Sequence, residues 1–154
     1  MFRGLNLPII SELHNKDAAR VLRVQRGAQT AILKRVTVRS SVLGAHFNHD
    51  TNNEVGILTR CSSIPQYVAA LISHSRETSS SSENLYLLLE DGGIDLAQVL
   101  RQALDGPSEL SAITIRFFAL GMLRCLSAIH SRQIIHMGND GSARQFLCFP
   151  FFRY

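Results

Sequence analysis

The spacing of hydrophobic residues changes period partway along this chain. Apolar residues first come in short, β-branched-rich runs: residues 8–14 (PIISELH), 19–25 (ARVLRVQ) and 30–38 (TAILKRVTV). The polar turn Asn15-Lys16-Asp17 separates the first two, and Arg26-Gly27-Ala28-Gln29 separates the second from the third. Short runs joined by tight turns predict an antiparallel meander. Residues 39–50 are polar and read as a loop. A helix is expected from Asp50 or Thr51, where a capping side chain precedes Glu54 and then Val55, Ile57 and Leu58 on one side. Pro65 interrupts the chain, and residues 66–73 (QYVAALIS) read as a fourth strand. The serine-rich run 78–82 reads as a turn, and it also suits phosphorylation. The continuous apolar run 85–89 (LYLLL) then predicts a buried strand.

Beyond Glu90-Asp91-Gly92-Gly93 the period lengthens. Residues 94–104 place Leu96, Val99, Leu100, Ala103 and Leu104 at helical spacing, and Gly106-Pro107 ends that helix. Ser111 is positioned to cap a long helix running to about Ser131. Ile115, Phe118, Ala119, Met122, Leu126 and Ile129 surround most of that helix, which predicts burial from several sides. Gln133–His136 reads as a short strand. Strands therefore come first and helices later, the order of an α+β chain.

Composition narrows the function classes. A chain of 154 residues, 45% hydrophobic and 18% charged, is long enough and apolar enough for a real core. The net charge of +4 comes from scattered basic residues (Arg20, Arg23, Arg26, Lys34, Arg35, Arg39) without interleaved aromatics, so no nucleic-acid partner is expected. Cys61, Cys125 and Cys148 are far apart with no CxxC pair, which fits a reducing compartment. His46 and His49 are i,i+3 in what reads as a polar loop and make no metal-ligand set. The N-terminus lacks the basic and apolar regions of a signal peptide. The most apolar stretch, Ile113–Ile129, is interrupted by Arg116 and Arg124 and falls short of a bilayer span. An intracellular chain, cytoplasmic or nuclear, without a membrane partner is the expectation.

Four blocks, in order, resemble the protein kinase catalytic domain, and most closely its monopolar-spindle and spindle-checkpoint branch. The resemblance runs from about Ile10 to His136. Ile32-Leu33-Lys34-Arg35-Val36 looks like the third-strand Ala-x-Lys motif, which implies that Lys34 contacts the α- and β-phosphates of ATP; a positioned ammonium is what that charge requires. The plain alternative is a lysine on the exposed face of a strand. Asn53-Glu54-Val55-Gly56-Ile57-Leu58 resembles the helix whose glutamate pairs with that lysine; the plain alternative is an acid in a helix's first turn, favoured by the dipole. Leu85-Tyr86-Leu87-Leu88-Leu89-Glu90-Asp91-Gly92-Gly93-Ile94-Asp95-Leu96 looks like strand five, the hinge and the next helix. That implies adenine contacts from the Glu90 carbonyl and the Gly92 N–H, Leu89 as gatekeeper, and Asp95 near the ribose. Phe117 to His136, ending in Ala128-Ile129-His130-Ser131-Arg132-Gln133-Ile134-Ile135-His136, is similar to the family's long C-lobe helix and the approach to the catalytic loop, with His136 as the remnant of its motif.

The fold so implied is a kinase-like N-lobe over 1–90, an antiparallel five-stranded sheet with one helix, then a hinge at 91–93 and the start of a helical C-lobe over 94–136. The resemblance also implies Mg-ATP as the family's cofactor, its binding weakened or lost in this chain, and a protein substrate or protein partner. Three departures qualify it. The phosphate-loop positions, His14-Asn15-Lys16-Asp17-Ala18-Ala19, contain no glycine, and Asp17 adds like charge near the phosphates. After His136 the chain reads Met137-Gly138-Asn139-Asp140, so Gly138 stands where the family's catalytic aspartate is expected, and no Asp-Phe-Gly follows. Finally, Phe146, Phe149, Phe151, Phe152 and Tyr154 put five of the chain's eleven aromatics in its last nine residues. Residues 137–154 resemble nothing in the family and look like a gene-model error or intron read-through; the C-lobe helices that cover the 113–131 helix in the family are absent here, so an exposed apolar patch and a tendency to aggregate are expected. The expected function is a fragment of an ATP-binding serine/threonine kinase, catalytically incomplete, with a pseudokinase or regulatory module as the alternative.

Overall fold

The first three apolar runs pair side by side, as their tight turns require. A computed structural model describes residues 6–16, 19–39, 44–79, 82–93, 96–105 and 111–134. Strands β1 (Ile9–Lys16), β2 (Ala19–Arg26), β3 (Gln29–Arg39), β4 (Leu71–Thr78) and β5 (Ser82–Glu90) form one sheet in the order β1-β2-β3-β5-β4. Every adjacent pair is antiparallel. Helices α1 (Gly44–Cys61), α2 (Leu96–Asp105) and α3 (Ala112–His130) complete the described elements. The chain is α+β, as its order of periods predicts.

Register assigns the side chains to faces. Val21 lies opposite Lys34 and Lys34 opposite Leu87; Arg23 lies opposite Ile32 and Ile32 opposite Leu89. Directly opposed residues share a face. One face of the sheet therefore carries Val21, Arg23, Ile32, Lys34, Leu87 and Leu89. The other carries the cluster Leu22, Val24, Ala31 and Leu88, with Leu7, Leu33 and Ile72 packed against it. Leu87 and Leu88 point to opposite faces and both are fully buried, which is why β5 reads as an unbroken apolar run and not as an alternation.

The chain divides into two compact units, Met1–Arg60 with Ala70–Asp91, and Cys61–Ala69 with Gly92–Tyr154. The first holds the sheet. In the second, α3 is capped by Ser111, whose hydroxyl accepts from the Thr114 N–H at 3.1 Å. The thiol of Cys125 donates to the Tyr67 carbonyl at 3.4 Å, and the Arg132 guanidinium donates to the Ser63 hydroxyl.

Four expectations need correction. Helix α1 starts at Gly44, inside the stretch read as a loop, and so includes His46 and His49. Extending a formed helix costs little per residue, so a weakly helical segment is carried along by its neighbour. The segment after Pro65 is not yet a strand: the Ile64 carbonyl accepts from both Tyr67 and Val68 N–H groups, closing the backbone locally. The strand opens at Leu71 and continues through the polar residues Ser73–Thr78, because β4 is the sheet's edge and half of it faces water. Gln133 and Ile134 form no strand; they turn back onto the end of α3, and the rest of the expected strand lies outside the described residues.

The fourth correction concerns α3. Only Cys125 and Ile129 are buried along it, while Ile113 (75%), Phe117 (77%) and Leu123 (64%) are exposed. The described residues do not bury α3 from several sides; they leave on it the exposed apolar patch also expected for this helix. With 19 residues α3 is also long and apolar enough, by length and composition alone, to cross a bilayer; core helices of soluble proteins meet the same measure.

Candidate functional site

Lys34 lies mid-strand in β3, hydrogen-bonded through its backbone neighbours to β2 on one side and β5 on the other. That ladder fixes where its side chain leaves the sheet. Across the strands its neighbours are the apolar Val21 and Leu87. At 8% exposure Lys34 is the only charged residue that is buried among the described residues. A buried ammonium is costly unless paired and hydrogen-bonded. It is: Lys34 Nζ donates to Glu54 Oε1 at 2.5 Å.

Glu54 comes from well inside α1, not from its first turn. A carboxylate at that depth draws little from the helix dipole, whose influence fades within the terminal turn. Its environment is set by Lys34 instead. The plain readings of both residues, an exposed strand lysine and a dipole-stabilised acid, do not describe this pair.

The end of β5 is held from three directions. The Glu90 N–H donates to the Ala70 carbonyl at 2.9 Å, and the Glu90 carboxylate accepts from the Ala70 N–H at 3.4 Å. Leu89 is buried on the Lys34 face beside Ile32. Asp91 accepts from Arg23 twice, Nε to Oδ2 at 2.7 Å and Nη2 to Oδ1 at 3.2 Å. Gly92 and Gly93 follow, and Gly93 has a φ of +84°, a conformation that costs L side chains and not glycine. Asp95 and His136 lie outside the described residues, as does Asp17.

The Arg23–Asp91 pair was not legible in the sequence. The two residues are 68 positions apart, and the expectations gave neither side chain a role. Only the cross-strand row Arg23, Ile32, Leu89, with Asp91 two residues beyond, brings them together.

Other titratable groups are tuned by local causes. Burial raises the Tyr86 hydroxyl above its ordinary range, and its hydrogen bond to Glu77 adds to this. The hydrogen bond from Arg20 holds the Glu12 carboxyl low. Burial, then the nearby Cys61 thiol, pushes Cys125 up to about 11. On the face opposite Lys34, Arg35 Nε, Ser73 Oγ and Ser75 Oγ are buried without hydrogen-bond partners. No protein family model matches the chain, and no curated protein matches it.

Proposed function

We propose that this chain is a protein-kinase-like domain that binds ATP through Lys34 and does not itself transfer phosphate. The observation that carries the reading is the buried Lys34–Glu54 ion pair on β3 and α1, within a sheet ordered β1-β2-β3-β5-β4. In kinases this arrangement keeps a lysine aimed at the α- and β-phosphates. The donor set fits such a group: a rigidly based ammonium carries the charge, and Glu54 orients it. Leu89 and Ile32 would flank the purine, with the Glu90 carbonyl and Gly92 N–H meeting its edge and Asp95 near the ribose. In the intact family, Mg-ATP supplies the γ-phosphoryl group for protein hydroxyls. Here Gly138 offers no carboxylate to take a hydroxyl proton, so nucleotide would be held without reaction. The N-lobe, hinge and C-lobe boundaries and the non-native reading of 137–154 belong to the same proposal.

The test is a thermal shift with Mg-ATP. At a hundredfold excess over Kd, binding stabilises by about 2.7 kcal/mol, a rise of several degrees in Tm. Lys34→Met should abolish that rise. A wild-type chain whose Tm does not respond to millimolar Mg-ATP would remove the nucleotide reading.

The second reading, a regulatory module that acts by binding protein, is favoured by the exposed Ile113, Phe117 and Leu123 on α3 and by a phosphate loop without glycine. It predicts that Phe117→Gln weakens partner capture while leaving the melting curve unchanged.

A further inference from the structure

The geometry points to Arg23 as a positioning residue: its two-point grip on Asp91 sets the backbone of Leu89–Asp91, the segment that would present the Glu90 carbonyl to the purine. The inference rests on the nucleotide-binding reading above for its purpose, though not for its geometry. Arg23 leaves the middle of β2, opposite Ile32, on the face that also carries Lys34 and Leu89. Asp91 lies just past the end of β5, where the sheet ladder can no longer hold the chain. Its carboxylate is only 9% exposed, against 30% for the Arg23 side chain.

A bidentate arginine–carboxylate pair restrains both distance and plane, which a lysine cannot do. The next two residues are glycines, which impose little restraint of their own. Asp91 is thus the last residue before the Gly-Gly break tied to a distant strand by its side chain. Glu90, immediately before it, is fixed to Ala70 by two hydrogen bonds. Together the two ties hold the Leu89–Asp91 backbone from opposite sides of β5: β3 and then β2 lie on one side, β4 on the other. Such a tie spends nothing on ligand contact. It preorganises the segment, so that ordering does not have to be provided at binding.

Two measurements test this on the whole chain. The first follows amide hydrogen exchange at residues 88–93 without nucleotide. Arg23→Gln and Asp91→Asn should each speed exchange there about tenfold, while exchange across β2 and β3 stays as in wild type. The charge-swapped double variant Arg23→Asp/Asp91→Arg should recover most of the protection. The second titrates a fluorescent ATP analogue. Arg23→Gln should weaken it about tenfold, with Lys34→Met as the control that removes binding.

Exchange unchanged in Arg23→Gln would overturn the inference, as would affinity equal to wild type. Loss of protection throughout the sheet would overturn it too, since the pair would then be a plain stability element. Local loosening with rescue by the swap, in a wild type that binds no nucleotide, would uphold the grip and overturn the nucleotide reading.

Discussion

Lys34 and Glu54 stand 20 positions apart in the chain, and their charged atoms meet at 2.5 Å on a buried face of the sheet. A lysine beside Val21 and Leu87 would be a liability without its carboxylate, and α1 is docked with Glu54 facing the sheet.

The pair should therefore behave asymmetrically on mutation. Glu54→Ala strands a buried ammonium and should cost about 2–4 kcal/mol in urea denaturation. Lys34→Met combined with Glu54→Leu replaces the pair by apolar groups and should recover most of that loss. A double variant as unstable as the single one would show that the ion pair contributes net stability and is not retained for its charge.

Cys125 makes stability depend on alkaline pH. Burial raises its thiol from 9.0 to about 11, so the folded chain keeps a proton that the unfolded chain releases. The stabilisation is complete below about pH 9 and is lost between about 9 and 11, on the order of 2 kcal/mol in all. Tyr86, raised from 10.0, adds to the same fall at its upper end. Unfolding free energies measured across this range should decline, and Cys125→Ala should flatten the decline while lowering the plateau.

Gln133 offers a stabilising substitution. It closes α3 with a φ of 58°, and the Gln133 N–H reaches the His130 carbonyl at 2.8 Å while the Ile134 N–H reaches Ile129 at 3.4 Å. This is the double bond pattern of a helix end that favours glycine. Gln133→Gly should stabilise by about 0.5–1 kcal/mol in denaturant melts. A loss of stability would mean that the side chain contributes a contact outweighing the backbone strain.

The exposed apolar residues of α3 should govern solubility. Phe117→Gln with Leu123→Gln removes two large side chains that are 77% and 64% exposed. The double variant should lower self-association in sedimentation velocity, with a Tm within a degree or two of wild type. A large drop in Tm would instead place those side chains in a packed interior.

Much of the fold was legible because local chemistry governs local backbone. β-branched runs between tight turns became β1, β2 and β3; Ser111 capped α3; Gly106-Pro107 followed the end of α2. The misreadings fell where local signals are weak or are overruled. Edge strand β4 is polar beyond Ile72, so the strand was expected to end at Ser73, and the apolar Tyr67 and Val68 looked like strand although their N–H groups turn back to Ile64. The start of α1 carried no clear stop or cap.

The candidate site divides the same way. Lys34, Glu54, Leu89, Glu90 and Gly92 were picked out by their match to motifs of the family the chain resembles, so the sequence alone named candidates. It also determined the fold class, through the change of hydrophobic period at the Gly92-Gly93 break. Only the tertiary structure decided which of them meet. Strand register set Lys34 on the face reached by Glu54, and put Arg23 in the row that leads to Asp91. It also decided that α3 keeps Phe117 in the open. The physical reason is one of range: backbone preference acts over a few residues, whereas a charge pair across 20 or 68 positions exists only once a whole sheet has fixed its register.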